Sequence, residues 1–292
     1  MRPPLFIIAP PRSYTSVIGG MLGQHPQAYG LPEVNLSHGE TLGDMWDSVP
    51  GAANFGTAGL LRLLAQIHEG IQTEEAVVRA RQWVLRRPHW TGAKVFEHIQ
   101  KEIGPDLMMV EKSPRNTMFT ENMQRLRRMF PEANFLHLTR HPRTQGKSVK
   151  DLIRDTTGGE GTNDPERVWL RLQSNILEFA QEIPVGQYMR IKGEMLLKDP
   201  RFYLRQICEW LDIDGSETAI EAMLHPENSP FASMGPPSAP AGNDPNFLTH
   251  PELDFDRLAR IKEPPLDGEI EWKPGHEFVP VVKRMARQFG YV

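Results

Sequence analysis

The chain has 292 residues, is 39% hydrophobic and 24% charged, and carries a formal net charge of −4, the make-up of a globular protein able to bury a large core in one domain or two. Its basic residues occur only in short runs, which argues against nucleic-acid binding by phosphate neutralisation and requires a local cation cluster for any polyanionic ligand. No apolar run approaches the roughly 20 residues of a membrane span, the first residues lead into a core strand rather than a signal peptide, and the single Cys208 reads as a small core residue in a reducing, cytoplasmic setting.

The first element lies in LFIIAPPRSYTSVIGGML, residues 5–22. Leu5 to Ala9 is too short for a helix and too apolar for a surface loop, and predicts a buried strand. Pro10 and Pro11 end it. A helix is expected from near Thr15, where Ser and Thr suit an N-cap and Val17, Ile18, Met21 and Leu22 take helical spacing. A strand passing through a hydroxyl-rich turn into a helix makes an anion site, because amide N–H groups and the positive end of the helix dipole converge there. The pattern GxxxxGK[ST] is absent, and no lysine occurs before Lys94.

Further along, spacing predicts helices over 60–67, 74–85, 118–129, 143–153, 167–181 and 200–211. Apolar runs predict strands in 106–114, 133–142 and 186–194, with a weaker one at 92–97. This alternation predicts an α/β fold, a mostly parallel sheet covered by helices on both faces, with ligands beyond the carboxyl ends of the strands. That edge collects Arg12, Lys112 and Arg140, each following a separate apolar run. Singly they have ordinary readings: a solvated loop arginine, a lysine paired with neighbouring Glu111, or arginines that open a helix. Arg140 and Arg143 at a helix N-terminus are unfavourable, however, unless an anion is present. With Ser148 early in the same helix, the clusters together point to a phosphate-rich ligand. His137 and His141 span a strand end and a turn rather than one helix face, so no metal site is expected.

These segments resemble the sulfotransferase family. APPRSYTS is similar to its phosphosulfate-binding loop, whose usual form is close to PRSGTT. LTRHPRTQGKS resembles its second signature, an Arg followed eight residues later by a Ser, here Arg140 and Ser148. EKSP resembles a Lys-bearing strand end of the arginine-loop branch, and RIKGEMLLKDPRFYLRQICEWLDI is similar to the family's YEDL…P…L…FLG region. The likeness runs in order from residue 5 to about 213, with a weaker W…GY tail from Trp272 to Tyr291. Tyr14 replaces the usual glycine, so a loop backbone that avoids positive φ is expected there. Gly193 replaces the usual tyrosine before Glu194. The Arg-Lys-Gly segment that clamps the 3′-phosphate in cytosolic members is missing, and no Lys or Arg lies between Arg205 and Arg257.

The resemblance implies a single domain over residues 1–292: a three-layer parallel sheet in the P-loop nucleoside triphosphate hydrolase-like sulfotransferase fold. It implies transfer of a sulfuryl group from 3′-phosphoadenosine 5′-phosphosulfate (PAPS), a co-substrate used without metal, to an acceptor hydroxyl or amine by in-line displacement. Arg12 and the loop residues Ser13, Tyr14, Thr15 and Ser16 would cradle the 5′-phosphosulfate. Lys112 would stabilise the bridging oxygen, and Arg140 and Ser148 would fix the 3′-phosphate. For the base, Glu33 stands about where the arginine-loop branch carries its catalytic glutamate. Flanking Leu31, Val34 and Leu36 predict a partly enclosed segment that would strengthen the carboxylate as a base. His38 is the competitor, since cytosolic members use histidine.

Residues 225–251, rich in Pro, Ser and Asn, are expected to cover the substrate, and Phe231, Met234 and Phe247 suit a small-molecule, hydrophobic or lipid-like acceptor, with carbohydrate still open. Two other classes stay open: a kinase with a degenerate P-loop, for which Glu111 is the nearby acidic metal ligand, and a non-catalytic nucleotide-binding module.

Overall fold

Successive side chains of an extended strand point to opposite faces, and β1 (Leu5–Ile8) is apolar on both. Phe6 and Ile8 enter one hydrophobic cluster, Leu5 and Ile7 a second, and all four are buried. Such a strand belongs in the middle of a covered sheet. It lies there in the computed structural model, which describes residues 1–48, 56–159 and 164–292.

Five parallel strands take the order β2-β3-β1-β4-β5, with β2 at Ala28–Gly30, β3 at Met108–Glu111, β4 at Asn134–Thr139 and β5 at Tyr188–Lys192. β1 pairs with β4 from Leu5 opposite Asn134 to Ile8 opposite His137, and with β3 where Phe6 faces Glu111. Parallel strands bring all their carboxyl ends to one edge, and helices fill both faces, giving the three-layer α/β fold the sequence predicts.

The helices Glu74–Leu85 and Pro200–Leu211 have the expected bounds. GAKVFE does not form the weak strand; it opens the helix Gly92–Ile103. Thr91 caps this helix by accepting from Lys94 N–H, and Val95, Phe96 and Ile99 are buried at helical spacing. The six-residue window stopped short of Ile99, which sets the period. β2 passed unnoticed because three residues carry no periodicity. Cys208 is buried as expected, and burial pushes its thiol up to about 11. Among the described residues no helix is long and apolar enough to cross a membrane.

A third cluster joins Trp169 to Leu266, Ile270, Phe278, Val282, Phe289 and Tyr291. It secures the W…GY tail against the functional edge. Trp272 lies on Gly146, where an added Cβ would come within 2.3 Å of the indole, so the helix Pro142–Thr157 keeps a glycine at that contact. Tyr291 donates its hydroxyl to Glu194 Oε2 at 3.0 Å, and Glu194 Oε1 accepts from His141 N–H at 2.8 Å.

Residues 225–251 are packed rather than open. Phe231, Ala239 and Ala241 join the core cluster that contains Phe6. The buried Arg62 guanidinium donates to Ala241 C=O at 2.9 Å, and Phe247 lies against Gly20. Phe231 and Phe247 are thus committed to packing, which removes them as pointers to the acceptor, whereas Met234 is exposed.

Candidate active site

The turn after β1 is built by backbone that side chains rarely adopt. Arg12 has φ 65° and Tyr14 φ 64°, so the expectation that Tyr14 avoids positive φ is overturned. Left-handed conformations cost a non-glycine residue on the order of 1–3 kcal/mol and persist only where the surroundings hold them. Here the Tyr14 ring lies under the Arg140 guanidinium, 4.3 Å from its centroid, and burial pushes the phenol up to about 12. Tyr14 is also the N-cap of the helix Thr15–Leu22 and makes no side-chain cap bond, so the helix's first N–H groups stay turned toward the turn. Ser13 Oγ is fully buried there with no partner among the described residues. An orphaned hydroxyl beside free amides fits an anionic ligand.

Four strand ends supply the charges. Lys112, directly after β3, is 2% exposed, and its Nζ donates to Ser16 Oγ and Glu33 Oε1, each at 2.7 Å. Glu33 follows β2. Its backbone N–H donates to Gly242 C=O at 2.7 Å, and Gly59 presses on its carbonyl. Arg12 donates from Nε to Ser148 Oγ at 3.0 Å, and Arg140, directly after β4, donates to Arg12 C=O at 2.6 Å and to Thr144 Oγ1 at 3.2 Å. Burial pulls the Arg140 guanidinium below its ordinary value, opposed by Tyr14 and Glu194.

The structure therefore brings together Arg12, Tyr14, Ser16, Glu33, Lys112, Arg140 and Ser148. His38 lies elsewhere. Its Nε2 faces Asn122 Nδ2 at 3.5 Å, and burial, with Arg115 and Arg125 nearby, pushes the imidazole down to about 4. Glu111 faces away from Lys112 into a buried network, accepting from Ser113 Oγ and from Asn116 Nδ2 at 2.9 Å, and burial pushes it up to about 7. That leaves the kinase reading without its acidic ligand at this edge.

Arg143 is a further correction, since among the described residues its charge pairs with no carboxylate. Its guanidinium donates to the carbonyls of Pro265, Asp267, Gly268 and Glu269 and lies over Phe278. Four carbonyl dipoles compensate a cation that the helix N-terminus alone would disfavour.

Two residues were missed. Asp244 accepts from the Arg12 guanidinium in an ion pair, and its N–H donates to Ser16 Oγ at 3.1 Å. Asp-Pro is a helix-start signal, and Asp244 does cap Pro245–Thr249, but its cross-chain partner left no local trace. Arg257 lines a cavity of about 330 Å³ together with Arg12, Arg140, Ser148, Phe247 and Leu258, so a basic residue does reach the pocket from the late segment.

The Glu33 backbone is wedged tightly. A Cβ on Gly59 would lie 2.1 Å from Glu33 C=O. Gly59→Ala, normally favourable inside a helix, is expected to destabilise the protein by about 1–3 kcal/mol through overpacking. A thermal melt showing equal or higher stability would contradict that wedge.

The sulfotransferase family profile matches residues 3–217. No curated protein matches the sequence. Among solved structures, the sulfotransferase domain from the curacin biosynthetic pathway superposes with a TM-score of 0.80 at 23% identity, covering 100% of this chain and 99% of that one. The sulfotransferase domain of the Synechococcus PCC 7002 olefin synthase gives 0.76 at 25% identity, covering 100% and 97%. A Mycobacterium tuberculosis H37Rv sulfotransferase gives 0.50 at 18% identity, covering 76% and 71%. With the profile spanning most of the sequence and the same fold in these structures, the chain belongs to the sulfotransferase family.

Proposed function

We propose that the protein transfers a sulfuryl group from PAPS to an acceptor hydroxyl or amine, all 292 residues acting as one catalytic unit. The observation that carries this reading is the Ser16–Lys112–Glu33 chain, which links the anion turn to a carboxylate through one buried ammonium. Arg12, Ser13 and the amides of residues 14–16 cradle the 5′-phosphosulfate. Arg140 and Ser148 hold the 3′-phosphate, and the cavity that they share with Arg257, Phe247 and Leu258 receives the rest of the nucleotide.

In the reaction Glu33 accepts the acceptor's proton as that oxygen (or nitrogen) bonds to sulfur. The bond from sulfur to the bridging oxygen breaks, and its electron pair stays on the departing phosphate. Lys112 meets this growing charge, where a preorganised cation acts most strongly. Its ammonium starts shared between Ser16 and Glu33. Turning it toward the bridging oxygen frees the Glu33 carboxylate to act as a base. Among the described residues His38 makes no hydrogen bond to this chain of groups, which favours Glu33. The descriptions of two solved relatives, a biosynthetic-pathway domain and an olefin-synthase domain, support a small-molecule or lipid-like acceptor.

Adenosine 3′,5′-bisphosphate (PAP) is expected to raise the melting temperature without divalent metal, and by more than 5′-AMP. Arg140→Ala should lower PAP affinity roughly tenfold or more, since a charged hydrogen bond is worth about 1.5–3 kcal/mol. Equal stabilisation by 5′-AMP, or stabilisation by ATP only with Mg²⁺, would overturn the donor assignment.

A further inference from the structure

Tyr14, after central β1, and Gly193, after outer strand β5, share one space. A Cβ on Gly193 would lie 2.5 Å from Tyr14 Cδ2 and 3.3 Å from Thr139 C=O. The Cδ2 edge of the ring therefore fits against the start of the helix Gly193–Lys198 only because position 193 has no side chain. The face of the ring supports the Arg140 guanidinium, 4.3 Å from its centroid. Among the described residues the Arg140 guanidinium makes two hydrogen bonds, to Arg12 C=O and Thr144 Oγ1. Nearby Glu194 makes its hydrogen bonds with His141 N–H and the Tyr291 hydroxyl and acts on Arg140 through its charge. The left-handed backbone of Tyr14 is what aims the ring into this slot.

We propose that Tyr14 is a positioning residue for the phosphate-binding Arg140, its ring serving as a platform that the missing side chain at Gly193 makes room for. The inference rests on the assignment of Arg140 to the donor's 3′-phosphate. A guanidinium seated on an aromatic face is attracted to it and loses rotameric freedom before the anion arrives. The platform sharpens discrimination between nucleotides with and without a 3′-phosphate.

The test is calorimetric titration of PAP and 5′-AMP into the full chain and its variants, reading the ratio of the two affinities. Tyr14→Gly suits the left-handed backbone, so folding is retained. It should reduce the PAP preference about three- to tenfold, within the range of a lost cation–π contact, PAP affinity falling by more than 5′-AMP affinity. Tyr14→Phe keeps the platform and should keep the preference. Gly193→Ala should push the ring aside and weaken PAP binding as Tyr14→Gly does, whereas the Tyr14→Gly/Gly193→Ala pair should be no worse than Tyr14→Gly alone. In an Arg140→Ala background, Tyr14→Gly should have no further effect. If Arg140→Ala abolishes the preference but Tyr14→Gly leaves it intact, or weakens both nucleotides equally, the platform is disproved. If Arg140→Ala itself leaves the preference intact, the 3′-phosphate assignment fails instead.

Discussion

Glu33→Gln is expected to lower kcat by about 10²–10⁴, the usual cost of losing a general base. The amide keeps the shape of the carboxylate and can still accept from Lys112, but it cannot take up the acceptor's proton. Donor affinity should barely change, because Glu33 reaches the donor side only through Lys112. The control is His38→Ala in the same assay. His38 lies against Asn122 with its imidazole driven toward the neutral form, and its removal should leave kcat within a few-fold of the starting protein. Loss of activity in the histidine variant with retention in the glutamine variant would reverse the assignment of the base.

Lys112→Met should depress kcat about 10²–10³, in line with removing a preorganised group that stabilises transition-state charge. Methionine suits the channel, because Lys112 runs past Gly19 with only 3.0 Å between its Cγ and a Cβ placed there. PAP affinity should fall less than in Arg140→Ala, since the charge that Lys112 meets develops mainly as the bond breaks. The informative readout is the split: Lys112→Met acts on kcat and Arg140→Ala on nucleotide affinity. If Lys112→Met instead weakened PAP as much as Arg140→Ala while leaving kcat intact, Lys112 would be a binding residue only.

Much of this edge was legible because parallel strands make it so. Each cation lies directly after an apolar run, and a parallel sheet sends all such positions to the same side, so Arg12, Lys112 and Arg140 could be grouped without coordinates. Helix bounds followed where apolar spacing was long and regular, as in Glu74–Leu85. What escaped was non-local. Nothing near Asp244 in sequence reveals that its carboxylate meets Arg12, because the contact spans most of the chain. The role of Arg143 was misread because local electrostatics at a helix start cannot foresee four carbonyls arriving from residues 265–269. Tyr14 and Gly193 were each seen as a departure from the motif. That the two are complementary is a statement about volume, which a linear pattern does not hold.

The Asp244 carboxylate on Arg12 has a consequence for measuring affinity. A tethered anion acts at an effective concentration that for short links reaches about the millimolar range, so every free anion that seeks Arg12 competes with an internal one. The observed dissociation constant is then the intrinsic constant divided by the fraction of molecules in which Asp244 has let go. Simple sulfate or phosphate ions, which gain nothing beyond the contact they displace, will register as feeble ligands however well the turn is shaped for them. A nucleotide that also engages Arg140, Ser148 and the neighbouring cavity offsets that competition with contacts Asp244 cannot imitate. The carboxylate thereby works as a threshold, rewarding ligands that carry two separated anionic groups over those that carry one.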